Sequence, residues 1–283
     1  MIRFAWGGLR LSLLEAGHLW LDGGAMFGVV PKPIWSRLQL PDERNRIRLA
    51  MNLLLIEDGE HRTLVDTGAG TDWNDKLKDI YGLETRTPEE ILRPAGLEPG
   101  QIDRVINSHL HFDHAGGNTV PDGQGGYRPA FPNAEYVVQK GELETARLQN
   151  ERIRASYREG GFEPLAEQGR LRVVEGDVEL SPHVQLRVAR GHTPAMQIVL
   201  VETDEGTVAY LADLVPTSSH VHFPFIMSYD LEPLETLATK KRILPLAAAE
   251  GWRIVFEHDA GMPLATLTDR NGRLEARPVD LGS

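Results

Sequence analysis

The chain of 283 residues contains no cysteine. That excludes disulfides, thiolate metal sites and cysteine nucleophiles together, so any metal must be held by His, Asp and Glu. The absence fits a reducing compartment, and the expected location is the cytoplasm. Positive charge is scarce too: 30 Lys and Arg face 41 Asp and Glu, a net −11 at pH 7. A nucleic acid would meet net repulsion. The dense basic runs, ERNRIR (Glu43–Arg48) and KKR (Lys240–Arg242), are short and mixed, so no nucleic-acid partner is expected. No apolar run of about 20 residues is present, so no membrane-spanning helix is expected. The stretch MIRFAWGGLRLSLLEAGHLW is broken by Arg10, Glu15 and glycines. It lacks a basic start and a small-residue cleavage site, and is not read as a signal peptide.

What is present is ordinary for a globular protein: 41% hydrophobic and 25% charged residues. The length suffices to bury a large core without staples. Neither an internal repeat nor a low-complexity segment interrupts it. Strands are expected at Leu9–Leu14, Leu49–Ile56 and His61–Val65, the last two joined as a hairpin at Asp58-Gly59. Further strands are expected at Glu135–Gln139, Val184–Ala189, Gln197–Glu202, Thr207–Leu211 and Arg253–Phe256. TPEEIL starts a helix with Thr87 as N-cap and Pro88 at its first position. A second helix is expected over Gly141–Tyr157. A third should run from Glu232 to Glu250, kinked or interrupted at Pro245. The pattern implies one α/β domain over residues 1–283 with two sheets. Residues 20–48 and 118–134 read as irregular excursions of the size that often carries function.

The stretch NSHLHFDHAGG (Asn107–Gly117) packs three histidines and an aspartate into six positions. It follows a short apolar run that starts at Arg104 and precedes Gly116-Gly117, a strand end turning into a helix start. His109 and His111 are two apart and point the same way in an extended chain. Asp113 and His114 follow as the chain turns. Three other stretches have this character: RGHTPAM with His192, YLADLVP with Asp213 and FEHDAG with His258. Each sits just past a strand, where α/β folds collect their sites. Five histidines and two aspartates are too many for one tetrahedral zinc. They suit two metals sharing a bridging carboxylate and a water.

HLHFDH resembles the HxHxDH signature of the metallo-β-lactamase superfamily, and the downstream His, Asp and His match in order over about Met51–Asp259. The resemblance implies an αβ/βα four-layer sandwich. It implies one metal held by His109, His111 and His192, and another by Asp113, His114 and His258, with Asp213 bridging. LVDTG resembles the family's early aspartate motif, which places Asp66 behind the ligands as support. The ligand set suits two Zn2+, and cobalt, manganese and iron fit similar sites. Flavo-diiron relatives replace a histidine by a carboxylate and add a flavin domain, and neither feature is present. Hydrolysis is therefore expected over a redox or purely metal-binding role. A metal-bridging hydroxide would attack the substrate, with Asp213 holding the metal pair and Asp113 aiding departure of the leaving oxygen.

Among hydrolases of this superfamily, the lack of cysteine and the presence of Asp213 argue against the β-lactamases themselves. Net charge argues against ribonuclease Z. Glyoxalase II shares the ligand set and stays open, although no basic helical extension follows His258. The nearest likeness is to N-acyl-homoserine lactonases of the quorum-quenching type and to methyl parathion hydrolase-like members. It rests on LDGGAMFGVVPKPIW (Leu21–Trp35), ADLVPTSSHV and WRIVFEHD. Met26, Phe27, Phe223, Phe225, Met227 and Tyr229 are the expected substrate pocket. Lactonases of this type carry a tyrosine three residues after the bridging Asp, where this chain has Pro216, and Tyr229 is the candidate substitute. That departure keeps organophosphate and aryl-ester hydrolysis as the alternative. The expected partner is a small lactone or ester. The resemblance also suggests a homodimer with 20–48 as its contact. His18, His61, His183, His220 and His222 have no ligand context, and His220 and His222 read as loop-surface residues.

Overall fold

Two long strands, Leu9–Asp22 and Arg46–Glu57, pair antiparallel from Arg10 opposite Glu57 to Asp22 opposite Arg46. They lie next to one edge of an eight-stranded sheet in the computed structural model, which describes residues 1–280. Beyond them lie Ile2–Trp6 on one side and Arg62–Val65, Arg104–Ile106, Glu135–Gln139 and Leu171–Val174 on the other. Glu84–Thr85 also pairs with the first long strand. A second, seven-stranded sheet runs in chain order through Val178–Glu179, Val184–Val188, Gln197–Thr203, Gly206–Tyr210, Arg253–Val255, Leu264–Arg270 and Arg273–Pro278.

The run LAMNLLLI shows why two layers form on either side of the first sheet. Leu54 and Ile56 face the second sheet and share a core with Leu186, Ile198, Val208, Tyr210 and Ile254. Leu53 and Leu55 point the other way, into a core with Ile91, Leu92 and Ile102. A strand buried on both faces reads as a continuous apolar run. The helix Pro88–Leu92 covers that outer face, and its Thr87–Glu90 capping box satisfies two end donors. The helix Pro233–Ala249 buries Ile243, Leu244 and Ala247 in the core of the second sheet. Helix, sheet, sheet and helix make the four layers of the αβ/βα sandwich. Among the described residues, no helix is long and apolar enough to cross a membrane.

Three expectations about elements are corrected. The helix placed at Gly141–Tyr157 spans Lys140–Leu148, because Gln149 turns left-handed at φ 45°. The chain then folds back until Tyr157 bridges His111 and Ser156 accepts from the Phe112 N–H at 2.8 Å. The helix Pro233–Ala249 continues through Pro245, which sits on its exposed side. The 20–48 excursion is more regular than its composition suggests. Its ends belong to the two long strands, and between them lie short helices at Gly23–Phe27 and Lys32–Trp35.

Candidate metal centre

Strand ends converge on the site. His109 follows the Arg104–Ile106 strand, His192 follows Val184–Val188, Asp213 follows Gly206–Tyr210 and His258 follows Arg253–Val255. The last two of these strands are parallel neighbours, so Asp213 and His258 emerge from the same edge. His111 precedes a short helix, Phe112–Ala115, that carries Asp113 and His114. Gly117 lets this helix close on the turn after Arg62–Val65, since a Cβ there would lie 2.2 Å from the Thr67 carbonyl oxygen. Gly191 has φ 141°, and a Cβ on it would come within 2.5 Å of the Thr236 backbone. Asp66 and Ala212 hold positive φ values of 58° and 45° without being glycine. Such strain persists where the surrounding structure fixes it and clusters at functional sites.

All seven expected ligand residues are buried and face one another. His109, His111, His192 and Asp213 form one group that could hold a metal ion, and Asp113, His114 and His258 form a second. His192 Nε2 lies 2.9 Å from His111 Nδ1. His258 Nε2 lies 3.2 Å from His114 Nε2. Asp213 stands between the groups: Oδ2 is 3.1 Å from His192 Nε2, and Oδ1 is 3.2 Å from His258 Nε2 and 3.6 Å from His114 Nε2.

On His109, His114, His192 and His258 the outward ring nitrogen is committed elsewhere, which leaves the inward one to the site. His258 Nδ1 donates to the Ala50 carbonyl at 2.8 Å, and His192 Nδ1 donates to Asp230 at 2.9 Å. His114 Nδ1 has Asp66 at 3.0 Å and Glu257 at 2.7 Å. Ser108 donates its hydroxyl to Asp66 at 2.6 Å and its oxygen lies 3.1 Å from His109 Nδ1. These partners fix tautomer and ring direction, as acceptors behind metal-binding histidines do. Neutral rings of His114 and His258, held this way, would face each other lone pair to lone pair across 3.2 Å. His109 Nε2 and Asp213 Oδ1 are buried without a hydrogen-bond partner. Such a set of converging donors, short of protons to share, fits divalent cations.

Electrostatics divide the rings: against their burial, the neighbouring carboxylates favour positive charge at His114, His192 and His258, while His109 and His111 are held neutral. Burial drives the His109 and His111 rings well below their ordinary pKa, with neighbouring histidines adding to it. Burial opposes charge on His258 as well, yet Asp213 and Glu257 outweigh it and raise its pKa to about 9. Asp213 is held well below the usual carboxylate range, since His192, His258 and His114 together overcome its burial. Asp66, expected behind the ligands, is fully buried and accepts from Ser108 and Tyr210 as well as facing His114.

Sequence reasoning passed over Asp230 and Glu257. Asp230 lies in SYDLEP and carries no signal in the chain. Glu257 adjoins His258 in FEHD, and an acid beside a ligand at a strand end was a signal available in the sequence. Burial pushes the Glu257 carboxyl up to about 7, although His114 lowers it.

A cavity of about 250 Å³ opens onto His111, Asp113, His192, Asp213 and His258. Met26, Met227 and Tyr229 line it, together with Leu21, Tyr81 and Phe112. Phe27, Phe223 and Phe225 do not. Phe27 is fully buried one layer behind, stacked on Trp35 at 5.5 Å and on His220 at 4.7 Å, with Phe225 edge-on at 5.8 Å. Phe223 packs against the core of the second sheet instead. His220 is fully buried too, not on a loop surface, donating from Nε2 to the Met26 carbonyl at 2.9 Å. A larger open depression of about 720 Å³, between Arg3 and Asp103, lies away from this chemistry.

With fold and geometry together, the chain belongs to the metallo-β-lactamase superfamily: the family model of that description matches residues 48–258. It is a metal-dependent hydrolase of a fold that binds divalent metals. It is similar to an N-acyl homoserine lactonase of Bacillus sp., 32% identical over 219 residues that cover 72% of this chain and 79% of the relative. A probable metal-dependent hydrolase from Staphylococcus aureus superposes with a TM-score of 0.89 at 28% identity, covering 98% of this chain and 99% of that one. An N-acyl homoserine lactone hydrolase, solved with N-hexanoyl-L-homoserine at its catalytic metal centre, superposes with a TM-score of 0.68 at 29% identity. That match covers 88% of this chain and 93% of the other.

Proposed function

We propose that the protein is a dinuclear zinc hydrolase that opens the ring of an N-acyl-homoserine lactone. The observation that carries the reading is Asp213, whose two oxygens face the two imidazole groups at 3.1 and 3.2 Å. His109, His111 and His192 would hold one metal, and Asp113, His114 and His258 the other, with Asp213 shared. When bound, the pair supplies an activated water and Lewis-acid charge toward a carbonyl oxygen. Asp113 borders the cavity, where its carboxylate can take the proton that the attacking water gives up and pass it to the departing ring oxygen. Leu21, Met26, Phe112 and Met227 offer an apolar wall for an acyl chain.

Tyr229 takes the role left open by Pro216. Burial, then Asp22 and Asp113, push its hydroxyl pKa up, so it stays protonated and can donate to the substrate carbonyl. Tyr229→Phe should then lower kcat on a lactone more than it changes KM, and an unchanged kcat would remove that role. The names of the relatives, N-acyl homoserine lactonases, favour a lactone over a phosphotriester or aryl ester. The test is a panel of acyl-homoserine lactones, simple lactones, aryl esters and phosphotriesters on the zinc-loaded protein. The acyl-homoserine lactones should give the highest kcat/KM. Faster turnover of a phosphotriester or aryl ester would transfer the assignment to that reaction.

The homodimer reading gains support from Val29 and Leu40, 89% and 87% exposed on the 20–48 excursion. A two-chain mass in sedimentation that falls to one chain in Leu40→Arg would support that contact. A single-chain mass for the unaltered protein would end it.

A further inference from the structure

Glu142 is a fully buried carboxylate outside the ligand set. Burying such a charge costs several kcal/mol unless donors satisfy it, and three do. Oε1 accepts from the Leu110 N–H at 3.0 Å and from the Tyr157 hydroxyl at 3.0 Å. Oε2 accepts from the Thr193 hydroxyl at 2.5 Å. Each donor adjoins a residue of one group only. Leu110 separates His109 from His111, and Thr193 follows His192. Tyr157 packs its ring edge-on to His111 at 4.8 Å and pairs with it across an isolated bridge. In the other group, His114 depends on Asp66 and Glu257, and His258 on the Ala50 carbonyl.

We propose that Glu142 is the positioning residue of the first metal site. One carboxylate sets the spacing of His109, His111 and His192, which arrive from segments more than eighty residues apart, and leaves the second site untouched. It does a second thing through Tyr157. The chain before Tyr157, at Ile153 and Ser156, forms one wall of the cavity. The same carboxylate therefore locks that wall against the metal loop. Sequence alone hides this role, since Glu142 is one acid among 41 acidic residues and its partners are distant in the chain.

The inference rests on the metal-ligand reading above. The experiment is zinc binding by chelator competition on folded protein, comparing the unaltered chain with Glu142→Ala, Glu142→Gln and Thr193→Val. Glu142→Ala should weaken one of two sites by about 10–100-fold, the usual effect of losing a group behind the ligands, with the other site unchanged. Glu142→Gln keeps an amide oxygen for the Leu110 N–H and should recover part of the loss. Thr193→Val, mild enough to fold where Glu142→Ala fails, should shift the same site in the same direction by less. Both sites at unaltered affinity in the folded variants, or both weakened equally, would overturn the proposal. If the unaltered chain binds fewer than two zinc ions, the metal reading itself fails and takes this inference with it.

Discussion

Asp213 Oδ1 lies 3.2 Å from His258 Nε2, while the other oxygen of the same carboxylate faces His192 at 3.1 Å. A residue on one strand end thus supplies the counter-charge to two imidazole groups at once. Asp213→Ala leaves those rings without it. The variant should bind fewer than two zinc ions per chain. Lactone hydrolysis should fall about a thousandfold or more, since several kcal/mol of charge stabilisation is removed. Two zinc ions retained in metal analysis would show that Asp213 is not the bridge.

His220 makes a contrasting case. Burial lowers its pKa to about 4, so the ring is neutral, accepting from Thr217 at 2.7 Å and donating to Met26 at 2.9 Å. His220→Ala should keep its full metal content. It should lose about 1–3 kcal/mol of stability, because the buried Met26 carbonyl loses its donor. KM should rise for long acyl chains as Met26 shifts. Loss of a metal would make His220 a ligand.

Lys240 gives a pH signature. It is fully buried in the helix Pro233–Ala249 and donates to the carbonyls of His222 and Phe225 at 2.9 and 2.8 Å. Burial lowers its pKa from 10.5 to about 7, with Asp230 opposing. Between those values the unfolded chain binds the proton and the folded chain does not, so this contribution to stability rises with pH. Below about pH 7 both states are protonated and the contribution is flat. In denaturant melts, the stability of the unaltered protein relative to Lys240→Met should grow from pH 7 to about pH 9. Parallel curves would contradict the assignment.

Much of the site could be read from the chain because its ligands are local in sequence. HLHFDH places four of them in six residues, and the other three each follow an apolar strand. The long strands were legible for the same reason, apolar runs bounded by turns. Of what supports the ligands, Asp66 was legible in LVDTG and the rest was not. Asp230 and Glu142 matter through burial and through hydrogen bonds to remote segments, which no local pattern encodes, and Glu257 had only its place beside His258 as a cue. Phe27, Phe223 and Phe225 show the limit for the pocket: an apolar residue near a site packs equally well on its wall or one layer behind. The helix beyond Leu148 failed for a related reason. The Asn150–Tyr157 segment gives up helical bonds to bridge His111 and to bond Phe112, a tertiary preference that overrides local propensity.

The most direct test is to titrate metal-free protein with zinc while following hydrolysis of an acyl-homoserine lactone. Ring opening should rise until two zinc ions are bound per chain and then level. Activity that saturates at one ion, or a two-zinc protein that leaves the lactone intact, would contradict the dinuclear lactonase assignment.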